Sequence, residues 1–145
     1  MKYIFYKRGY KYQLVRDFFT GTNIKPNEDI VTVYIKLTTD GSLTIKKGYA
    51  WDGASGPTID TLNFMKGSLV HDALYQLMRE GYLSRSRSRK SIDKLLQIIC
   101  RMDGMCALRA WLVYQAVRLC GNPSSDPANK KPIIKAPKLK RRRIM

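Results

Sequence analysis

The hydrophobic pattern of this chain changes its period after Pro57, and that change constrains the fold more than any other feature. Before it, the runs VTVYIKLT and SLTIKKGYAW alternate apolar and polar residues on either side of the Asp40-Gly41 pair. Such alternation predicts an antiparallel β-hairpin, and Asp-Gly predicts a type I′ turn, in which both central residues have positive φ. Residues 3–19 are rich in Tyr, Phe, Ile and Val, which favours further short strands.

After Pro57 the apolar residues follow helical spacing, as in the series Leu69, Ala73 and Leu77. Ser68 is a candidate N-cap for this helix, and Gly81 is a candidate for its end. The basic run SRSRSRKS that follows suits either a loop or the start of the next helix.

Residues 89–119 have the pattern of one long helix or of two, with Asp103-Gly104 as the break. Gly121 and Pro123 are expected to end the helical region. The sequence therefore predicts an α+β fold: an N-terminal antiparallel β-hairpin or meander, followed by an antiparallel helical pair. Both parts are expected to form one domain over residues 1–122.

From residue 123 the composition becomes rich in Pro, Lys and Arg, with 8 basic residues from Lys130 to Arg143 and no acid after Asp126. Such a segment cannot form a core of its own. Residues 123–145 are therefore predicted to be an extended basic tail that becomes ordered only against a partner.

The formal net charge of +16 predicts a polyanionic neighbour, which is nucleic acid, an anionic membrane surface or an acidic protein. The cations expected to contact it lie in the basic run and in the tail: Arg85, Arg87, Lys138, Lys140, Arg141, Arg142 and Arg143. No apolar run approaches the roughly 20 residues of a transmembrane helix, so we expect a soluble chain made in the cytosol. The three cysteines lack the spacing of a zinc site and are expected to be buried, reduced thiols.

The candidate site surrounds the only histidine, His71, which Asp72 follows directly. On a helix His71 and Tyr75 share a face, and an antiparallel return of the next helix brings Asp93 beside His71. A carboxylate that fixes the imidazole tautomer lets a neutral histidine take a proton from water. Asp72 and Asp52 would remain as hard oxygen donors for a cation such as Ca²⁺, together with carbonyls of the DGASGP turn that begins at Asp52.

The same residues also suit a purely structural role. In that interpretation His71 is buried against Trp51 or Tyr75, and Asp72 caps backbone amides. Asp93 would then lie in the first turn of its helix, where a carboxylate interacts favourably with the helix dipole.

The ordered set DGAS-P, HDALY, an Arg-rich connection and SID resembles the phage-associated family called domain of unknown function 1353, over residues 45–121. The resemblance implies a bacteriophage or prophage gene, other virion proteins as partners, and synthesis in the host cytoplasm, with the virion as a further location. It implies no established activity.

HDALY followed by Asp93 is also similar to the HDxxY…D core of calcium-dependent secreted and viral phospholipases. This resemblance implies that His71 is the general base, Tyr75 supports the site and Asp93 orients His71. It also implies that Asp72 binds Ca²⁺, with Asp52 and Gly53 in the place of the calcium loop, although the WDGASGP run departs from that loop. Two functions stay open: a phage-encoded hydrolase, and a non-enzymatic phage structural or nucleic-acid-associated protein.

Overall fold

We describe the protein from a computed structural model, which covers residues 4–6, 11–53, 61–130 and 132–136. Within these residues, seven short strands precede the helices and one follows them. They are β1 (Ile4–Tyr6), β2 (Tyr12–Gln13), β3 (Phe18–Gly21), β4 (Ile30–Val31), β5 (Ile35–Leu37), β6 (Ser42–Ile45), β7 (Ala50–Trp51) and β8 (Ile134–Ala136). The helices are α1 (Leu62–Arg79), α2 (Arg85–Met102), α3 (Ala107–Cys120) and the short α4 (Asn122–Ser125), with a 3-10 turn at Pro127–Asn129. The α+β prediction is confirmed.

The main sheet has the strand order β3-β6-β5-β4, and all its pairs are antiparallel. β2 pairs with β7 and β1 pairs with β8, both antiparallel. The alternating residues Ile35, Leu37, Leu43 and Ile45 are buried under the sheet against α1 and α2. The sheet thus covers one side of the helices, and β7, which follows the inner strand β6, places Trp51 beside the site.

The predicted hairpin is confirmed, since Leu37 pairs with Leu43 across the Asp40-Gly41 turn. Its turn is not type I′, because Gly41 has φ +89° while no described non-glycine residue has positive φ. The Gly41 amide donates to the Thr38 carbonyl, and the Thr38 amide donates to the Ser42 carbonyl. This is a longer loop with a single left-handed position, which glycine adopts without strain.

The predicted start of the first helix is wrong. α1 begins seven residues before Leu69, with Thr61 at the N-cap, and Ser68 lies inside the helix. The Ser68 hydroxyl donates to the Met65 carbonyl and accepts from Trp51 Nε1. Gly81, with φ +84°, follows the end of α1 as predicted.

The other helical alternatives are resolved. The run SRSRSRKS begins α2, and Asp103-Gly104 separates α2 from α3. Among the described residues no helix has both the length and the apolar character needed to cross a membrane. Of the three cysteines, Cys100 is buried as expected, whereas Cys106 and Cys120 are exposed.

The segment after Gly121 differs from the extended tail that the sequence predicts. Residues 122–125 and 127–129 are helical, because Pro123 suits a first turn and the Asp126 carboxylate accepts from the Ala128 amide. Arg79 also donates to the Ser124 carbonyl, at 2.7 Å. The domain boundary at residue 122 stays a prediction, and residues 137–145 lie outside the described part.

Candidate active site

His71 and Asp93 meet where α1 and α2 pack antiparallel. The short connection over residues 80–84 reverses the chain, and the pairs Lys66–Asp103 and His71–Asp93 fix the register of the two helices. Both residues lie near the middle of their helices, and Asp93 is in the third turn of α2. The alternative that placed Asp93 in a first helical turn is therefore wrong.

Asp93 accepts from three side chains that come from α1 and α3. His71 Nε2 lies 2.8 Å from Asp93 Oδ1, and Tyr75 Oη donates to the same oxygen at 2.5 Å. Arg118 Nη1 donates to Asp93 Oδ2 at 2.8 Å. Since Asp93 is 0 % exposed, these partners replace the water that a carboxylate would otherwise require.

Arg89 joins this cluster to the end of α3. Its Nε donates to Tyr75 Oη at 3.2 Å, and its Nη2 donates to the carbonyls of Val117 and Arg118. The Val117 carbonyl also accepts from the Gly121 amide, whereas the last carbonyls of a helix, such as that of Arg118, lack partners within the helix. Because Arg89 belongs to α2, it holds the end of α3 against α2 and, through Tyr75, against α1. Gly121 lets Tyr75 lie here, because a Cβ at residue 121 would be 2.9 Å from Tyr75 Oη.

Arg89 and Arg118 are not among the site residues that the sequence predicts. Arg89 lies four residues before Asp93, which is the spacing of a helical ion pair. Arg118 is one of two charges in the otherwise apolar segment of α3, and a charge in such a segment is a signal of a buried partner. Which acid it pairs with depends on how α3 folds back onto α2.

The electrostatic surroundings move the pKa values of His71 and Asp93 apart. Burial alone lowers the pKa of His71, but the carboxylates of Asp72 and Asp93 outweigh it and raise that pKa above 6.5. Burial would raise the pKa of Asp93, yet the hydrogen bonds from His71, Tyr75 and Arg118 hold that pKa below 3.8. Burial and the hydrogen bond to Asp93 raise the pKa of Tyr75, which therefore stays protonated at neutral pH.

The ionised Asp93 determines the tautomer of His71. Because a carboxylate only accepts, a neutral His71 carries its proton on Nε2 and leaves the Nδ1 lone pair free to accept a proton. Nδ1 lies 3.8 Å from Asp72 Oδ1. The ring also packs on Tyr75, with 4.0 Å between centroids, so the predicted structural contact and the predicted His–Asp pair are both present.

His71 and Asp72 line a pocket of about 160 Å³ between α1 and β7. Its wall combines aromatic and apolar side chains with about as much polar and charged surface: Tyr49, Trp51, Asp52, Phe64, Ser68, Tyr75, Gln76, Arg79, Leu96 and Val117. A wall of this mixed character suits an amphipathic small molecule.

Asp72 and Asp52 are the acids of this pocket. Loss of hydration raises the pKa of Asp72, and the negative charge of Asp52 adds to the rise, while His71 and Arg79 oppose it. Gly53, with φ +75°, turns the chain immediately after Asp52. Residues 54–60, which hold most of the DGASGP carbonyls, lie outside the described residues.

These acids fit a cation in part. Two carboxylates that repel each other are a donor pair that a hard cation stabilises. In the described part of the chain, however, no group of three or more His, Cys, Asp or Glu side chains is arranged to hold a metal ion. A calcium site would therefore need backbone carbonyls in addition to Asp52 and Asp72.

The predicted polyanion contacts divide into three groups. Arg85 is engaged within the protein, because its Nε donates to Ser125 Oγ at 3.1 Å and its Nη1 lies 3.5 Å from Asp126 Oδ2. Arg87 is exposed on α2. The tail residues Lys138, Lys140, Arg141, Arg142 and Arg143 lie outside the described residues.

Comparison with known proteins gives one match. A family model described as "Protein of unknown function (DUF1353)" matches residues 30–117, which include the hairpin, α1, α2 and most of α3. No curated protein matches. No solved structure matches either.

Proposed function

The chain belongs to the DUF1353 family, and since that description assigns no activity, we propose from the site itself that the protein is an ester hydrolase with His71 as its general base. The observation that carries the proposal is the 2.8 Å contact between His71 Nε2 and the buried Asp93, beside a pocket that His71 also lines. An imidazole fixed through one nitrogen has the other available for proton transfer.

In the proposed reaction His71 Nδ1 takes a proton from water, and the water oxygen attacks the ester carbonyl carbon. The bond from that carbon to the alcohol oxygen breaks, and the alcohol leaves with the proton. Asp93 holds the ring in position and stabilises the imidazolium, while Tyr75 holds Asp93. The carboxylates of Asp72 and Asp93 raise the pKa of His71. The neutral ring is therefore a stronger base toward water than a free imidazole.

We propose a lipid ester as the substrate, with Ca²⁺ as the cofactor. Support comes from the resemblance of HDALY and Asp93 to calcium-dependent phospholipases and from the pocket wall that Trp51, Phe64 and Leu96 supply. Asp72 and Asp52 would hold the ion with carbonyls of the following turn. A calcium ion at this place would polarise the ester carbonyl and stabilise the oxyanion.

The test is hydrolysis of a panel of phospholipids with Ca²⁺ supplied. His71→Gln keeps much of the side-chain volume but removes the base, so we expect it to lower the rate at least about 100-fold with folding intact. Asp72→Asn is expected to abolish the increase in hydrolysis that added Ca²⁺ produces. Glu28→Gln changes an exposed acid to an amide far from the pocket and serves as the matched control. Absence of hydrolysis by the wild-type protein across the panel would contradict the phospholipase proposal.

The phage assignment rests on the family resemblance and is likewise a proposal. In it the protein is made in the host cytoplasm and acts with other virion proteins. The non-enzymatic alternative, a phage structural or nucleic-acid-associated protein, keeps support from the basic tail and from exposed Arg87. Detection of the protein in purified particles, with and without nuclease treatment, separates a structural location from an association with nucleic acid.

A further inference from the structure

The outward side of α3 carries a row of large apolar side chains, which we call the apolar row. On an ideal helix its positions fall within about 100° of arc. The members are Leu108, Trp111, Leu112 and Leu119, exposed by 68 %, 49 %, 51 % and 80 %. The inward positions Ala110 and Val113 are also apolar, and they are buried. Gln115 is the one polar residue within the arc of the row. A helix that is mainly apolar on both sides is normally covered on both sides.

Next to the apolar row, α2 presents a row of cations, which we call the basic row. Its members fall within about 60° of arc on an ideal helix. They are Arg87, Lys90, Lys94 and Arg101, and all four residues are exposed. Ile98 and Met102, exposed by 44 % and 77 %, lie on the same side of α2. Lys94 connects the basic row to α3, because its Nζ lies 5.3 Å from the ring centroid of Tyr114 on that helix.

Within the described residues of α2 and α3, no unpaired acid interrupts the two rows. Residues 85–120, all of which the structure describes, contain two acids, Asp93 and Asp103. Asp93 is fully buried, and Asp103 lies 2.7 Å from Lys66 Nζ. Apolar and basic rows side by side, with the acids neutralised, are typical of a helix surface that lies at the interface of an anionic membrane.

We propose that the outer side of α2 and α3 binds the surface of an anionic phospholipid bilayer. Trp111 and the leucines would enter the boundary between headgroups and acyl chains, and the basic row would contact lipid phosphates. Nucleic acid suits the basic row but offers little apolar surface to the three leucines. A second copy is disfavoured because chains of net charge +16 repel each other. The proposal does not depend on whether the pocket is catalytic.

The experiment is flotation of the full chain with phosphatidylcholine vesicles, with and without phosphatidylglycerol. Ether-linked lipids are used so that ester hydrolysis cannot alter the vesicles. Tryptophan fluorescence reports the contact, because Trp51 is 8 % exposed whereas Trp111 is 49 % exposed. We expect binding only to the vesicles that contain phosphatidylglycerol, together with a blue shift that disappears in Trp111→Phe.

Two variant pairs test the two rows. Replacing Arg87, Lys90 and Lys94 by Gln should weaken binding by roughly 100-fold, at about fivefold per cation. The matched control replaces Lys36, Lys46 and Lys47 by Gln on the exposed side of the sheet. Leu108→Ser with Leu112→Ser should weaken binding by at least about tenfold. Val31→Ser with Val33→Ser, at residues that are 62 % and 78 % exposed on the sheet side, should leave binding unchanged.

Three results would overturn the proposal. The first is vesicle binding without a blue shift, or with equal losses in the two charge variants, since the contact would then lie elsewhere. The second is a larger blue shift with duplex DNA than with anionic vesicles, which would assign the surface to nucleic acid. The third is a dimer in sedimentation that the Leu108 and Leu112 replacements convert to monomer, which would assign it to a second copy.

Discussion

Under the four-stranded sheet, Ile35, Leu37, Leu43 and Ile45 are each at most 1 % exposed and belong to the apolar core. Between the helices, by contrast, the buried groups include an ionised carboxylate. Of the buried polar residues in the described part of the chain, Ser68, His71, Asp93 and Ser125, none lies in a strand. Asp93 is as fully buried as these apolar residues, at 0 % exposed, but burying a charge costs free energy that burying an apolar side chain does not.

Burial of apolar surface under the sheet lowers the free energy of the folded state. Burial of the Asp93 cluster removes hydration from its charges, and the contacts within the cluster must offset that penalty before it stabilises the fold. A buried ion pair is often no more stabilising than apolar residues of the same size. The Asp93 cluster lies beside a pocket and shifts the pKa of a histidine. Because burial of its charges costs free energy, stability alone does not explain it, and the cluster is a candidate for function. The sheet core needs no such explanation, because packing alone accounts for it.

The largest losses of stability should come from replacing a central residue of each region by alanine. Leu43→Ala should lower the free energy of unfolding by about 2–5 kcal/mol, and Asp93→Ala by about 3–5 kcal/mol because Arg118 and His71 lose their partner. Only Asp93→Ala should lower the pKa of His71, since burial then acts with Asp72 as the one remaining carboxylate. The pKa is measured by NMR, where the single histidine gives one unambiguous titration.

If Asp93→Ala does not fold, Asp93→Asn keeps the shape and provides the same comparison. An equal fall of the His71 pKa in Leu43→Ala would show that the two regions are coupled and do not respond independently to substitution.

A smaller effect should follow from crowding the cluster without removing a charge. A Cβ at residue 121 would lie 2.5 Å from the Val117 carbonyl oxygen and 2.9 Å from Tyr75 Oη, so Gly121→Ala forces Tyr75 away from Asp93. We expect a loss of about 2 kcal/mol in urea unfolding, the usual cost of overpacking. The control is Gly21→Ala in β3, where a Cβ meets no atom within 4 Å and stability should stay within about 0.5 kcal/mol. Equal stability of the two variants would indicate that Tyr75 and α3 adjust freely.

The sequence predicts the elements of this fold because their signals are local. The hairpin follows from alternation around Asp40-Gly41, and the break between α2 and α3 follows from Asp103-Gly104. The start of α1 was missed because Ser68 has the chemistry of an N-cap, but its hydroxyl serves a tertiary contact with Trp51, 17 residues away. No local pattern records that contact.

The site residues also differ in whether a local sequence signal predicts them. The pairing of His71 with Tyr75 follows from helical spacing, and Asp93 follows from an antiparallel return of the next helix. Arg118 is 25 residues from Asp93 and reaches it only because α3 folds back onto α2. The sequence contains the arginine but not that packing, so the partner that helps to keep Asp93 ionised was not predicted.

The free energy of unfolding should depend on pH through the Asp93 cluster and not through the apolar core. Each titrating group can contribute a slope of at most about 1.4 kcal/mol per pH unit. The pKa of His71 is raised on folding, so its contribution is complete below 6.5 and is lost as the pH rises through the folded value. The pKa of Asp93 is lowered on folding, so its contribution is present above 3.8 and is lost as the pH falls through the folded value. Urea unfolding from acid to alkaline pH measures both slopes.

In Leu43→Ala the pH profile should keep its shape and move down as a whole. In Asp93→Asn both slopes should become smaller, because one group is gone and the other has lost a partner. A profile that keeps both slopes in Asp93→Asn would locate the pH dependence outside the cluster.

The smallest effect on stability is expected from Arg118→Gln, and its informative readout is the pKa of His71. Arg118 donates to Asp93 Oδ2 at 2.8 Å, but 30 % of its side chain is exposed, so solvent screening reduces the loss to about 1 kcal/mol. Without the guanidinium, the negative charge of Asp93 acts more strongly on the imidazolium, and the pKa of His71 should rise further above 6.5.

Arg87→Gln makes the same change of charge at an exposed position of α2 and should leave the titration of His71 where it is. If the two variants titrate alike, Arg118 acts on Asp93 only through packing. If the pKa rises in Arg118→Gln alone, the arginine tunes the base. The pH at which ester hydrolysis reaches half its maximum should then rise by the same amount, because the base must lose its proton before it can accept one from water.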